Sequence, residues 1–200
     1  MQMIEQQIVL VDVDQVVADL YPSWFGRYNK EYSDDLHTDR VTSWNMEQFV
    51  KPECGKDIFR YLSQRDLYDD VLPVHGALEG INHIRSLGFR VVFLTASNLH
   101  MGGRKLQWLI EHGFLTVEKD QHHHHDYVEC VDKSLFAPVG SFMIDDYPVN
   151  LRPYQGQRVL FTQPHNANLD TVSEGMVRVN NWAQVKAFFN IMTNEPTTPN

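Results

Sequence analysis

The clearest pattern near the start of the chain is a short apolar run that leads into two acidic residues. Ile8–Val11 are apolar and mostly β-branched, and Asp12 and Asp14 follow one residue apart before the apolar character resumes. A short unbroken apolar run is typical of a strand buried on both faces, as in a parallel sheet. The alternative is a helix N-terminus, where aspartate is favoured as a cap or in the first turn.

Later segments alternate between helix and strand patterns. Apolar residues at helical spacing predict helices, and short apolar runs predict strands. The predicted helices are 77–87, 105–112 and 182–192, and the predicted strands are 90–95, 114–117, 139–144 and 158–161. Because helix and strand alternate, the pattern predicts an α/β fold with a parallel sheet.

Residues 20–72 differ in character, being rich in Tyr, Trp, Asp and Arg and lacking a long apolar run. Two periodic segments, 21–32 and 56–67, predict short amphipathic helices. We therefore predict a core domain of residues 1–19 and 73–192 with a small helical insertion at 20–72, and a disordered tail at 193–200. The alternative is that the inserted helices merely complete the core.

Composition narrows the classes of partner. The 200 residues, 42% of them hydrophobic, fit one domain with a substantial core. The formal net charge of −9 argues against a nucleic-acid duplex or an anionic membrane as the main partner. Small anionic substrates stay possible, because a metal ion and local cations can override the global charge.

Cysteine usage and the first residues predict a cytoplasmic location. Cys54 and Cys130 are too few for a disulfide framework, which favours a reducing compartment. No apolar run approaches the roughly 20 residues of a membrane span. The first five residues also lack the layout of a secretion signal.

Four consecutive histidines, His122 to His125, lie inside the chain. Such a tract can bind a metal, but we expect a solvated loop.

Functional side chains stand at the ends of three predicted strands. They are Asp12 with Asp14, then Thr95, and then the pair Asp145 and Asp146. In a parallel sheet all carboxyl ends face the same edge, so we expect these residues to converge. Close carboxylates repel unless a cation lies between them, and Mg²⁺ prefers oxygen ligands. Taken singly, Thr95 could be an ordinary strand residue and the aspartate pair an ordinary turn.

Lys133, between the second and third of these positions, could supply a further cation. Taken alone, it could equally be a surface lysine.

Taken in chain order, these aspartates, the threonine and the lysine resemble the four motifs of the haloacid dehalogenase superfamily of phosphotransferases. The first motif is Asp12-Val13-Asp14-Gln15-Val16, and the threonine, the lysine and the aspartate pair follow in order. More narrowly, the chain resembles the 5′(3′)-deoxyribonucleotidases of cytosolic, mitochondrial, bacterial and phage type. The narrower likeness is carried by residues 16–19, 72–77, 105–108, 132–134, 143–146, 160–166 and 181–182. It implies a Rossmann-like three-layer parallel sheet with residues 20–72 as a small helical cap.

The resemblance also implies roles for the acidic residues. Asp12 would be the nucleophile that is transiently phosphorylated, and Asp14 the general acid and then base. Mg²⁺ would be held by the Asp12 carboxylate, the Asp14 main-chain carbonyl and one of Asp145 or Asp146.

The remaining implied roles concern the substrate. Thr95 and the backbone N–H of Ala96 would bind phosphate oxygens, while Lys133 would compensate negative charge. Substrate-binding residues would be Leu20, Lys105, which could reach the phosphate, and Trp44, which could stack on the base. The alternatives are a solvated lysine at a helix start for Lys105 and a place in the cap core for Trp44.

Two positions depart from the resembled family. Ser43 stands where the mammalian enzymes have an aromatic residue, which puts a two-ring sandwich around the base in doubt. Gln15 stands where glycine is common, and we expect its long side chain near the site entrance.

The sequence therefore predicts a Mg²⁺-dependent phosphatase that hydrolyses deoxyribonucleoside monophosphates, with a nucleotide as partner and a homodimer as a possible assembly. One rival is a superfamily phosphatase for another small phosphate ester or for a nucleic-acid 3′-phosphate. The other is a non-catalytic module that uses the acidic cluster only to bind a metal.

Overall fold

The computed structural model describes residues 6–97, 101, 103–117 and 125–194. Its centre is a six-stranded sheet in the order β5-β4-β1-β6-β7-β8, in which every neighbouring pair is parallel. The strands are β1 (Ile8–Val11), β4 (Arg90–Ala96), β5 (Tyr127–Cys130), β6 (Phe142–Asp145), β7 (Gln157–Phe161) and β8 (Val177–Val179). This arrangement confirms the predicted α/β fold class.

Side-chain alternation along the strands divides the core into two clusters. Val9 and Val11 of β1 belong to the larger cluster, and Leu10 belongs to the smaller one on the opposite face of the sheet. The larger cluster is covered by α2 (Ala77–Ser86), α3 (Arg104–Glu111) and α5 (Trp182–Asn194). The smaller face is covered by the short α4 (Pro148–Leu151) and by loops. Since both faces of β1 are covered, an unbroken apolar run is required there.

The chain leaves the sheet and returns to it through a two-stranded antiparallel ribbon. Its strands are β2 (Ala18–Asp19) and β3 (Leu72–Pro73), and residues 20–71 lie between them. The division of the chain into a core and an insertion at 20–72 stays a prediction. That segment contains α1 (Leu20–Tyr32) and short 3₁₀ helices at Thr38–Arg40, Met46–Phe49, Gly55–Ser63 and Arg65–Asp69. Its apolar side chains belong to the larger core cluster, so hydrophobic packing is continuous between insertion and sheet.

Trp182 of α5 is hydrogen-bonded to the loop between β1 and β2. The indole N–H donates to the Val16 carbonyl over 2.8 Å. The same ring packs on Gly80 of α2, where a Cβ would lie 2.2 Å from a ring carbon. Glycine is therefore required at position 80 for α5 to pack this closely, and that packing holds the loop that carries Asp14.

Several predicted elements need correction. Residues 114–117 form no strand, because Phe114 and Leu115 turn back after α3 and are buried in the core, with the Phe114 ring stacked on Trp108. The single helix predicted at 56–67 is two 3₁₀ helices. The strand predicted from residue 139 begins at Phe142, after Gly140 with φ +80°.

Two predicted segments, the C-terminal tail and the histidine tract, lie partly outside the described residues. The last helix continues through Asn194, two residues into the predicted tail, and residues 195–200 lie outside the described residues. Within the histidine tract only His125 is described, and it is exposed. None of the described helices has the length and apolar character that crossing a membrane requires.

Candidate active site

The sheet topology brings the ends of three strands together. β1 lies between β4 and β6, and all three run in the same direction. Asp12 directly follows β1, Thr95 is the next-to-last residue of β4, and Asp145 is the last residue of β6. The backbone N–H of Asp12 continues the ladder by donating to the Ile144 carbonyl over 2.9 Å. The predicted strand-end residues therefore share one edge of the sheet.

Three carboxylates meet at this edge. Carboxylate oxygens of Asp12, Asp145 and Asp146, all buried, lie within 4.8 Å of one another. Burial raises the pKa of Asp12 to about 7, with Lys133 opposing the rise and the charges of Asp145 and Asp14 adding to it. Burial and the charges of Asp145 and Asp12 also raise the pKa of Asp146 well above its usual value. Such a cluster carries more negative charge than its surroundings stabilise.

Lys133 is the cation at the centre of this cluster. Its Nζ lies 2.6 Å from Asp12 Oδ1 and 2.8 Å from Asp145 Oδ2, and the side chain is only 1% exposed. Burial lowers the pKa of Lys133, but the two carboxylates outweigh burial and the net shift is upward. The alternative of a surface lysine is therefore excluded.

The two adjacent aspartates have different surroundings. Both oxygens of Asp145 are engaged, since they accept hydrogen bonds from Lys133, the Tyr147 N–H and the Asn150 amide. Asp146 Oδ2 is buried and accepts no hydrogen bond from the described residues, although His165 Nε2 lies 3.5 Å away. Asp145 and Asp146 therefore form a turn and also belong to the site. The unpartnered Asp146 Oδ2, together with the Asp12 carboxylate, fits a hard cation that takes oxygen ligands.

Asp14 belongs to a second cluster, on the other side of the strand end. Lys105, from the first turn of α3, places Nζ 2.6 Å from Asp14 Oδ2, 2.9 Å from Thr95 Oγ1 and 2.8 Å from the Ala96 carbonyl. Lys105 is 4% exposed, so it is not a solvated lysine at a helix start. The Tyr68 hydroxyl, from the insertion, donates to Asp14 Oδ1.

The insertion covers this edge and leaves two adjoining cavities of about 270 and 280 Å³. Asp14, Leu20, Leu62 and Ala96 line both. The first cavity extends towards Ser97, Tyr68 and Lys105. The second extends towards Asp12, Lys133, Asp146 and Trp44. Thr95 and Asp145 are fully buried and line neither cavity, whereas the other predicted site residues line one or both.

Trp44 stands at the rim of the second cavity. It is 37% exposed, and its ring centroid lies 4.8 Å from that of Tyr147 and 5.0 Å from that of His165. It is therefore not part of the buried cap core. Ser43 provides no second ring, but Tyr147 provides an aromatic neighbour from the sheet side.

Unpartnered buried polar atoms mark the cavity walls. Among the described residues, the buried side-chain atoms without a hydrogen-bond partner are Gln15 Nε2, Ser97 Oγ and Asp146 Oδ2. All three residues line one of the two cavities. Because buried polar groups are normally hydrogen-bonded, their concentration here indicates a site built for a polar ligand.

The structure adds residues that the sequence analysis did not identify. Tyr68 contacts Asp14, and Asn150 contacts Asp145. His165 joins Tyr21, whose hydroxyl lies 2.8 Å from Nδ1, to the Asp146 carbonyl, 3.1 Å from Nε2. Tyr68 and Asp14 are 54 residues apart in the chain, and Tyr21 and His165 are 144 apart, so no local pattern signals these contacts. Asn150, by contrast, lies in the short helix that follows Asp145.

Comparison with known proteins gives a consistent result. Residues 6–194 match the profile of the family described as 5′ nucleotidase, deoxy (pyrimidine), cytosolic type C protein. A 5′(3′)-deoxyribonucleotidase of Clostridium acetobutylicum is 27% identical over 178 residues, which are 88% of this chain and 91% of that protein. A 5′(3′)-deoxyribonucleotidase of Bacillus subtilis is 25% identical over 183 residues, covering 90% and 97%.

Among solved structures, a haloacid dehalogenase-like family hydrolase from Streptococcus pneumoniae superposes with a TM-score of 0.62. The match covers 92% of this chain and 98% of that one at 10% identity, so it supports the fold alone.

Proposed function

The chain belongs to the family of 5′ nucleotidase, deoxy (pyrimidine), cytosolic type C proteins, and from that premise we propose that it is a Mg²⁺-dependent phosphatase of deoxyribonucleoside monophosphates. It is a hydrolase of the 5′-nucleotidase type with the haloacid dehalogenase fold. The observation that carries the proposal is the position of Asp12, which lies beside Lys133 and two further carboxylates in the wall of a cavity.

In the proposed reaction Asp12 attacks the phosphorus of the ester. A bond forms between the carboxylate oxygen and phosphorus, and the bond to the nucleoside oxygen breaks. Asp14 supplies the proton that the leaving oxygen takes. Asp14 then accepts a proton from the water that attacks the aspartyl-phosphate, which releases phosphate and restores Asp12.

Charge is the main obstacle to this attack, because nucleophile and substrate are both anions. Lys133 contacts Asp12 directly and stabilises it as a carboxylate. Asp12, Asp146 and the Asp14 main-chain carbonyl would hold Mg²⁺, which when bound supplies the positive charge that lets the two anions approach. The free Asp146 Oδ2 supports Asp146, rather than the fully engaged Asp145, as the direct ligand.

The substrate contacts follow from the cavity walls. Lys105 Nζ donates to Thr95 Oγ1 and to the Ala96 carbonyl, so the three residues are grouped together. We propose that the Lys105 ammonium, the Thr95 hydroxyl and the Ala96 N–H donate to the phosphate oxygens. Trp44 and Tyr147 present aromatic surface at the far rim of the second cavity, where a flat base can stack. Leu20 lies between the two regions and fits the sugar. A cytoplasmic location and a homodimer stay predictions.

Phosphate release from a panel of substrates tests the proposal. The panel contains deoxyribonucleoside and ribonucleoside monophosphates, sugar phosphates, phenyl phosphate and 3′-phosphorylated oligonucleotides, each with Mg²⁺ and with a chelator. We expect the highest kcat/KM with deoxyribonucleoside monophosphates and no turnover with the chelator. Faster turnover of sugar phosphates or oligonucleotides would favour the rival phosphatases, and no turnover of any ester would favour a metal-binding module.

The Asp12→Asn variant tests the nucleophile. We expect it to lose at least about a thousandfold in kcat, because removing a nucleophile leaves only binding and electrostatic contributions. Asp39→Asn, which changes an exposed carboxylate of the insertion, is the matched control and should keep full activity. Wild-type turnover by a folded Asp12→Asn protein would contradict the assignment.

A further inference from the structure

Gln15 combines two unusual features in the turn that follows Asp14. Its φ is +59°, in the left-handed region that residues with a side chain seldom adopt. Its side chain is nevertheless buried, with the whole residue 2% exposed. Gln15 therefore lines the second cavity with a side chain that is shielded from solvent, and its expected position near the site entrance stays a prediction.

The turn itself is held by backbone contacts. The Gln15 N–H donates to the Ala18 carbonyl over 2.8 Å, and the Gln15 carbonyl accepts from the Gln163 amide over 2.7 Å. None of these contacts uses the Gln15 side chain, and glycine would adopt the same φ more readily. The long polar side chain is thus not needed to form the turn.

The carboxamide of Gln15 has an unused donor, and the residue lines the second cavity. Nε2 is buried and has no hydrogen-bond partner among the described residues. Gln15 lines the cavity that Trp44 and Tyr147 also line, but not the one that extends to Lys105 and Ser97. An unpaired buried donor is unfavourable, so a ligand that brings an acceptor gains the whole hydrogen bond.

Gln15 shares the second cavity with the aromatic rim of Trp44 and Tyr147 and also with Asp12, so the proposed reaction brings both the nucleoside and the reacting phosphorus into this cavity. The groups that fit phosphate, Lys105 and Thr95, contact one another and Asp14 on the opposite side of the strand end. We infer that the Gln15 carboxamide is a specificity-determining group, which donates a hydrogen bond to an acceptor oxygen of the bound nucleoside. This inference rests on the proposed function of the same site.

Kinetics of two variants on matched substrates test the inference. Gln15→Met keeps the side-chain length but removes the donor, and Gln15→Gly removes the side chain and suits the left-handed backbone. Each is assayed with a deoxyribonucleoside monophosphate, with deoxyribose 5-phosphate and with phenyl phosphate, which has a flat ring but no carbonyl or hydroxyl oxygen. Thermal unfolding of both variants shows that the fold is retained, and Gln15→Gly keeps the test valid if Gln15→Met does not fold.

We expect both variants to lose about tenfold in kcat/KM for the nucleotide, the size of one hydrogen bond, and to match wild type on phenyl phosphate. A parallel loss on deoxyribose 5-phosphate places the acceptor on the sugar, and no loss there places it on the base. Equal losses on all three esters, or unchanged nucleotide turnover, would overturn the inference. If wild type hydrolyses phenyl phosphate but no nucleotide, the proposed function fails first and the inference fails with it.

Discussion

Two buried lysines lie in the active site, and they differ in the number of carboxylates around them. Lys133 contacts Asp12 and Asp145, and Asp146 lies in the same cluster. Lys105 contacts one carboxylate, Asp14, and its other partners are uncharged oxygens. The side of the site that holds the proposed nucleophile therefore keeps an excess of negative charge, and the side that holds the proposed acid does not.

The different numbers of carboxylates give the two sides of the site different needs for an added cation. An additional cation is favoured where three buried carboxylates share one lysine, since buried charges are stable only when they are compensated. The one-to-one pair of Lys105 and Asp14 has no such demand. We therefore expect Mg²⁺ to affect the stability of variants on the Asp12 side, and the stability cost of mutations on the Asp14 side to be the same with and without Mg²⁺.

Lys133→Met should have the largest effect. Removing one partner of a buried ion cluster costs about 3–5 kcal/mol of stability, and the loss of compensating charge should lower kcat by about a thousandfold or more. We expect millimolar Mg²⁺ to restore part of the stability but little activity, because the cation replaces the charge and not the position of Nζ. Thermal unfolding and steady-state kinetics measure both, with exposed Lys56→Met as the control.

If Lys133→Met is as active as Lys56→Met, the role of Lys133 is packing alone. The positive charge of Lys133 would then not be needed to compensate the carboxylates of Asp12 and Asp145.

Lys105→Met should have a smaller effect, and its cost in stability should not depend on Mg²⁺. It leaves Asp14 with the Tyr68 hydroxyl and removes a donor near Thr95, so we expect kcat/KM to fall by about a hundredfold. Thermal unfolding should show the same loss of stability with Mg²⁺ and with a chelator. If Mg²⁺ restores the stability of this variant as it does for Lys133→Met, the two sides are not electrostatically distinct.

Tyr68→Phe should have the smallest effect. The variant removes one hydrogen bond to Asp14 but keeps the edge-on packing of the ring against Trp108. We expect kcat to fall by about three- to tenfold, and the stability to change by about 1 kcal/mol or less. Steady-state kinetics at saturating substrate check this, and an unchanged kcat would show that Lys105 alone positions Asp14.

The sequence was sufficient to predict the side of the site that is built on strand ends. Asp12, Thr95 and Asp145 each end an apolar run, and parallel topology then brings them together. The burial of Lys105 could not be predicted, because its partner Asp14 is 91 residues away and no local pattern signals the pair. Tyr68 lies in a 3₁₀ segment whose periodicity predicts only an amphipathic helix.

An apolar run led to a wrong strand prediction at residues 114–117, where the apolar side chains are buried without forming a strand. Phe114 and Leu115 are apolar because they are buried in the core after α3, and the next strand is β5, which is only partly buried, contains Glu129 and lies at the sheet edge. β8, at the other edge, is three residues long and includes Arg178. Edge strands bury less surface than central ones, so their sequences give weaker signals.

We propose that Asp12 and Asp146 hold a divalent cation on the Lys133 side of the site. The most direct measurement is calorimetric titration of Mg²⁺ into wild type, Asp146→Asn and Asp14→Asn, in which the last keeps the main-chain carbonyl. We expect one Mg²⁺ per chain for wild type and Asp14→Asn, and at least about tenfold weaker binding for Asp146→Asn. Equal affinity in all three proteins, or no binding to wild type, would contradict it.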